Sequence, residues 1–167
     1  MQRKMPAEVA DPMTLVVPIT SDKGLCGAVN SAIVREVKKM MLGVNRSKYQ
    51  IFAIGLKGSA GLGRPFPDLL KVAMTNSTSP INYPTVMSLA VNLANASNDC
   101  DKIVVLYNEF KSAIQYEQRR LELMPRGRFM EAMKFGKLYD QTLPDKNTSN
   151  PALYELYLTA NLWVAYL

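Results

Sequence analysis

This chain of 167 residues contains no histidine. That one absence removes the commonest general base, the Ser-His-Asp and Cys-His arrangements of nucleophilic catalysis, and the usual zinc sites. Cysteine is scarce as well: Cys26 and Cys100 lie far apart and show no metal-ligand spacing. Both are expected to be reduced thiols in a reducing compartment. They are also expected to sit on separate elements, beyond the Cα separation of roughly 7 Å that a disulfide tolerates. No apolar run approaches the roughly 20 residues of a spanning helix. Arg3 and Lys4 are followed by Glu8 and Asp11 rather than an apolar core, so the N-terminus does not read as a secretory signal. It is also too short and too acidic for a complete mitochondrial transit peptide. Internal repeats are missing too, and spacing alone leaves paired-carboxylate hydrolysis open. Asp99 with Asp101, and Asp140 with Asp145, fall in turn-like segments, where solvated acids are the simpler reading.

The 48% apolar content and the length suit one domain with a real core. A formal charge of +6 favours acidic partners. The basic residues are nevertheless dispersed: Arg35, Lys38 and Lys39 on a helix, Arg119 and Arg120 on a strand, Arg126 and Arg128 in a glycine turn. Dispersal describes a solvated surface better than a nucleic-acid footprint.

The most informative stretch is Leu15-Val-Val-Pro-Ile-Thr-Ser-Asp-Lys-Gly-Leu-Cys-Gly-Ala-Val-Asn-Ser31. A β-branched run, a turn with two glycines and an amphipathic helix open an α/β sheet domain. Gly24 and Gly27 make only G-x-x-G, without a Gly-Lys-Ser/Thr ending, so a phosphate cradle is weakly signalled. Cys26 stands before a helix N-terminus, where a thiolate is stabilised, but no base accompanies it.

Further along, helix 31–42 turns Ile33, Val34, Val37, Met40 and Met41 inward, and Gly43 closes it. Residues 49–55 read as a buried strand, 57–69 as a broken helix or loop, and 71–76 as a short strand. Thr85 is expected to cap a helix with Val86, Leu89, Ala90, Leu93 and Ala94 inward. Residues 102–107 form the clearest strand, and its apolar run Ile103–Leu106 implies cover on both faces. A turn over 108–113 leads to an antiparallel strand over 114–125 with one wet face. Residues 126–150 read as a surface excursion with one short element near Phe135, and Pro151 opens the final helix. That helix is apolar all round. Leu153, Leu156, Tyr157, Ala160, Trp163, Val164 and Leu167 line one side, and Tyr154, Leu158, Leu162 and Tyr166 the other.

Three segments together resemble the γ subunit of F-type rotary ATP synthases. They are Thr20-Ser-Asp-Lys-Gly-Leu-Cys-Gly27, Ile103-Val-Val-Leu-Tyr-Asn108 and Leu153-Tyr-Glu-Leu-Tyr-Leu-Thr-Ala-Asn-Leu162. The resemblance covers roughly residues 13 to 167. It implies an α/β, Rossmann-like three-layer domain with a mixed, mostly parallel sheet of about five strands. Residues 1–12 would be an N-terminal extension, 13–150 the globular domain, and 151–167 the start of a long C-terminal helix. Long shaft helices flank this domain in the family, and only residues 1–12 precede the first strand here, so the chain looks like a γ domain without its coiled-coil shaft.

The implied work is mechanical. A central-stalk rotor subunit couples proton-driven rotation of the membrane c-ring to ATP synthesis on the α and β subunits. It is not itself a catalyst, takes no cofactor or metal, and carries small δ/ε-type stalk subunits on its flank. By the same resemblance Asp22, Lys23, Gly24, Leu25, Cys26 and Gly27 face the acidic levers of the catalytic subunits. Leu138, Tyr139 and Asp140 face the rotor ring. Without the redox cysteine pair of chloroplast members, the expected setting is the matrix side of the mitochondrial inner membrane, or the bacterial membrane face. The first rival is a flavodoxin-like nucleotide or phosphate-binding enzyme using the 21–27 turn, and the second is a basic nucleic-acid-binding module. The rotor reading expects Trp163, Val164 and Leu167 to lack contacts within the chain, so that truncation after Ala160 spares stability.

Overall fold

The computed structural model describes residues 10–23, 27–77, 81–112, 115–135 and 146–166. Its strands are β1 (Thr14–Pro18), β2 (Tyr49–Ile54), β3 (Leu70–Met74), β4 (Lys102–Ser112) and β5 (Gln115–Leu123). Its α-helices are α1 (Gly27–Met40), α2 (Leu56–Gly63), α3 (Tyr83–Ala96), α4 (Arg126–Phe135) and α5 (Lys146–Tyr166). The five strands form one sheet in the order β3-β2-β1-β4-β5. The three junctions β3–β2, β2–β1 and β1–β4 are parallel, and β4–β5 is antiparallel.

Alternation along the central strands builds two cores. Val16, Ile51, Ala53, Val104 and Leu106 face α1 and α2, whose Ile33, Val37, Met41 and Leu62 cover them. Leu15, Val17, Phe52, Ile54, Ile103 and Val105 face the opposite layer, built from α3 and α5. All four residues Ile103–Leu106 are buried, as a strand covered on both sides requires. The expected mixed, three-layer arrangement is therefore present.

Several local expectations change. Residues 57–69 contain a real helix despite Gly58, Gly61 and Gly63. Tight packing explains the glycine at Gly61, where an added Cβ would stand 3.0 Å from Val34 Cγ2 of α1. Asn82, not Thr85, caps α3: its Oδ1 accepts from the Thr85 N–H at 2.9 Å. Of the turn expected over 108–113, residues 108–112 are instead strand, because β4 continues to Ser112 paired with β5, and residue 113 lies outside the described residues. β1 stops at Pro18, opposite Leu106. Past that point the hairpin is a more exposed arm, touching α1 through Asn108 and Gln118, whose side-chain amides donate to the Val29 and Ala32 carbonyls at 3.1 and 3.3 Å. Residues 115–120 of β5 are all exposed rather than wet on one side only. The arm is tied by pairing across it: Arg119 bonds Glu109 at 2.7 Å, and Phe110 meets Tyr116 edge-on at 5.6 Å. The excursion after β5 contains α4, and α5 begins at Lys146, five residues before Pro151. Proline there removes the bond its N–H would make to the Asn147 carbonyl and sets its ring against that same carbonyl, one turn from the start of the helix.

Cys100 is a free thiol buried against the α3–α5 core, and Cys26 lies outside the described residues. Burial, with Asp99 and Asp101 adding to it, pushes the Cys100 thiol up to about 11. A raised folded-state value contributes stability that is complete below the unfolded value of roughly 8.5 and is lost as pH climbs through the folded one. Native Cys100 should therefore resist iodoacetamide at pH 8 and react once the chain is denatured. Equal labelling rates in both states would contradict this.

Candidate functional site

The turn after β1 lies at the C-terminal edge of the parallel strands and is fastened from three directions. Thr20 donates its N–H to the Ile54 carbonyl at 2.9 Å and its hydroxyl to the same oxygen at 3.0 Å. The first turn of α2 then donates back to the β1 turn. Leu56 N–H reaches Asp22 Oδ1 at 2.9 Å, Lys57 N–H the Ser21 carbonyl at 3.2 Å, and Gly58 N–H Thr20 Oγ1 at 2.8 Å. From α1, Asn30 Oδ1 accepts from the Ser21 N–H at 3.0 Å, and Asn30 Nδ2 donates to Ser21 Oγ at 2.7 Å.

The junction at Gly55 is closer still. Its φ of 93° lies in the left-handed region, and a Cβ built there would stand 2.0 Å from the Thr20 carbonyl oxygen. Only glycine fits so close a crossing of the two turns.

Two hollows adjoin this knot. A groove of about 500 Å³ runs between α1 and α2, with Val34 and Gly61 as its floor and Arg35, Lys38 and Lys57 along its walls. Asn30 and Ser31 line its upper end, so it is continuous with the turn. The second hollow, about 230 Å³, opens between β1 and β4, where the sheet changes winding direction. That is where nucleotide-binding α/β folds hold their ligand. Here Ile19, Thr20, Tyr107, Asn108, Ala165 and Tyr166 are among its lining, and among the described residues no lysine or arginine is. The amides of the first α2 turn are also occupied by the chain itself. Neither feature suits a phosphate, which weakens the flavodoxin-like alternative. Among the described residues no His, Cys, Asp and Glu group could hold a metal, and no helix is long and apolar enough to cross a membrane.

α5 climbs from the β5–α4 end of the sheet to this same edge, where Ala165 and Tyr166 border the crevice beside Thr20. Burial first, and then the Asp22 carboxylate, raise the Tyr166 hydroxyl far above its ordinary value, with Ser77 offsetting part of the effect. At the lower end Tyr157 Oη accepts from the Met124 N–H at 3.0 Å, and Tyr154 Oη donates to the Met124 carbonyl at 3.2 Å.

Of the residues singled out in the sequence, Asp22 is half-buried and Lys23 exposed, and Gly27 is the first residue of α1. Gly24, Leu25 and Cys26 lie outside the described residues, as do Leu138, Tyr139, Asp140 and Leu167. The final helix divides differently from the expectation of burial all round. Tyr154, Leu158, Leu162 and Ala165 are buried in the chain's own core. Leu156 is 54% and Val164 61% exposed, and Ala160 is exposed beside them. Leu153 and Tyr157 are half-buried flank positions.

Trp163 departs from expectation: it is half-buried and packs on the core, its ring 6.1 Å from Tyr83 of α3. One residue beyond Leu162, it is turned about 100° around the helix, which directs it at α3 rather than into solvent. Sequence reasoning missed Asn30 and the capping role of Asp22. The groove cations Arg35 and Lys38 were legible only as a solvated helix face, because Lys57 joins them through the fold.

A three-layer α/β domain whose switch-point crevice shows no lysine or arginine among the described residues, and with a half-exposed apolar helix rising past it, is the class these features define. The chain belongs to the ATP synthase family whose model matches residues 1–167, and the curated relatives it matches are named as gamma subunits. The mitochondrial ATP synthase F(1) complex subunit gamma of Dictyostelium discoideum is 27% identical over 160 residues, covering 95% of this chain and 52% of that protein. The ATP synthase gamma chain of Flavobacterium johnsoniae is 35% identical over 112 residues, covering 62% and 38% respectively. Among solved structures, a chain of the Tetrahymena thermophila mitochondrial ATP synthase central stalk and c-ring superposes with a TM-score of 0.85 at 42% identity. That match covers 94% of this chain and 70% of the other. A chain of the Euglena gracilis mitochondrial enzyme shares the fold, with a TM-score of 0.71 at 18% identity. The chain spans about half the length, or less, of the curated relatives it matches.

Proposed function

We propose that this chain supplies the globular part of the central stalk of a rotary ATP synthase. It joins the membrane rotor ring to the shaft and turns with both, while ATP is made on the α and β subunits and none of its own residues performs chemistry. The observation that carries this reading is the 42% identity, over 94% of the chain, to a Tetrahymena chain in a central stalk and c-ring structure. The setting is the matrix side of the mitochondrial inner membrane, reached through the complex alone. Residues 13–150 act as the globular body and 151–167 as the root of the shaft. Small stalk subunits sit on its flank.

Three contact regions belong to this reading. The head turn, Lys23 with Gly24 to Gly27, meets acidic segments of the catalytic subunits. Arg35, Lys38 and Lys57 extend the same basic surface along the groove between α1 and α2. Contacts of this kind are short-ranged and screened, so they suit a partner that must pass rather than stay. By the same reading Leu138, Tyr139 and Asp140 meet the rotor ring. The exposed strip Leu156, Ala160 and Val164 packs on a shaft helix.

The test is purification of the ATP synthase from the source organism through a tag on the full-length protein, followed by cryo-EM. The domain should lie between the c-ring and the catalytic ring with the head turn toward the latter. A complete particle from which this chain is absent would overturn the proposal.

A further inference from the structure

We infer that Asp22 is a positioning residue: its carboxylate fixes the head turn by accepting a hydrogen bond at the start of α2, and Lys23 rather than Asp22 meets the partner. The functional half of this inference rests on the reading of the head turn given above, whereas the capping half does not.

The first four N–H groups of an α-helix, counted from the N-cap, have no partner within the helix. Here that of Gly55 goes to the Met74 carbonyl of β3 at 2.8 Å, which leaves those of Leu56, Lys57 and Gly58. α2 has no side chain of its own to meet them, because its N-cap residue is Gly55. Ser59, the nearest hydroxyl in the helix, donates back to the Gly55 carbonyl instead. The whole cap therefore comes from another part of the chain, with Asp22, Ser21 and Thr20 serving Leu56, Lys57 and Gly58 in that order. The relation works in both directions. The bonds that complete α2 also hold three consecutive residues of the turn against a helix seated on the sheet.

Asp22 is the outermost of the three and the one beside Lys23. Without its bond, Thr20 and Ser21 remain tied by the sheet and by Asn30, and Ser21 Oγ still donates to the Lys23 carbonyl at 2.7 Å, but Asp22 and Lys23 lose the direct anchor to α2. What the site requires is an acceptor at the Oδ1 position, which asparagine also supplies. A residue acting by charge on an acidic partner would be repelled by it, which is a further reason to separate Asp22 from the contact itself.

The experiment uses the full-length protein in its assembled ATP synthase, with D22N, D22A and K23A compared. Two quantities are read: amide hydrogen exchange over Leu56–Gly58, and the rate of ATP hydrolysis coupled to proton pumping. D22N should match wild type in both. D22A should speed exchange at Leu56 by about tenfold, as expected for one lost hydrogen bond, and should slow turnover. K23A should slow turnover and leave exchange unchanged. Failure of D22A, but not D22N, to assemble carries the same meaning.

A D22N complex as slow as D22A, with wild-type exchange, would make Asp22 a charge contact and overturn the inference. Unchanged exchange at Leu56 in D22A would overturn the cap itself. Faster exchange in D22A with full turnover in both D22A and K23A would leave the cap standing and overturn the reading of the head turn.

Discussion

Replacing Gly55 by alanine should destabilise the domain by more than about 3 kcal/mol, enough to lower its melting temperature by roughly 6 °C or more. Two costs combine. The backbone at φ 93° and ψ 145° lies in a region that residues with a Cβ scarcely enter. The new methyl would also stand 2.0 Å from the Thr20 carbonyl oxygen, far inside contact distance. Relief requires the β1 turn and the β2–α2 turn to part, which breaks the bonds from Leu56, Lys57 and Gly58 at once. Gly43 is the internal control. Its φ is also positive, at 70°, yet a Cβ there meets nothing within 4 Å. Gly43→Ala should therefore cost only about 1 kcal/mol. Thermal or urea unfolding of the two variants checks the difference, and similar stabilities would contradict the close crossing at Gly55.

The second large effect concerns the end of α5. Truncation after Ala160 should destabilise the domain by at least about 3 kcal/mol, since removal of one buried leucine side chain alone costs roughly 2–5 kcal/mol. Leu162 is fully buried, Ala165 nearly so, and Trp163 and Tyr166 pack on the same core. This reverses what the sequence implies when the whole helix end is assigned to a missing partner. The division runs lengthwise along the helix, not between its halves. Leu156→Ser and Val164→Ser on the exposed strip should shift stability by no more than about 0.5 kcal/mol. In the full-length protein the same two changes should impair assembly, because that strip is the surface proposed above to receive a shaft helix. Equal loss of stability from the exposed-strip variants and the truncation would refute the two-sided helix.

The parts of this fold legible in the sequence are those whose period is local. The runs Leu15–Val17 and Ile103–Leu106 declare strands covered on both faces, and the spacing of Val86, Leu89, Ala90, Leu93 and Ala94 declares the inner side of α3. All of these are buried. The misreadings lie where distant parts of the chain decide. Asn108 looks like a turn former, but pairing with Gln118 keeps it in the strand, and its side chain bonds the Val29 carbonyl of α1 at 3.1 Å. The glycines of α2 argue against a helix until the cap supplied by Thr20 to Asp22 and the close approach of Val34 are known.

The site divides in the same way. The 20–27 motif marks the turn as the place of interest, yet Asp22 looks like a simple turn former. Its partner at Leu56 is 34 positions away, and no periodicity links the two. Trp163 is misplaced for a related reason. An all-apolar helix does not reveal which of its sides meets α3.

The central claim is rotation, and the most direct measurement of it is single-molecule. A biotin-acceptor peptide inserted in the exposed loop at Gly43–Asn45 of the full-length protein would carry a bead, with the purified catalytic ring immobilised. Supplied with ATP, the bead should turn in one sense in repeated steps, at a rate that follows the ATP concentration. A bead that stays fixed to the ring while the same particles hydrolyse ATP would contradict the assignment of this chain to the rotor.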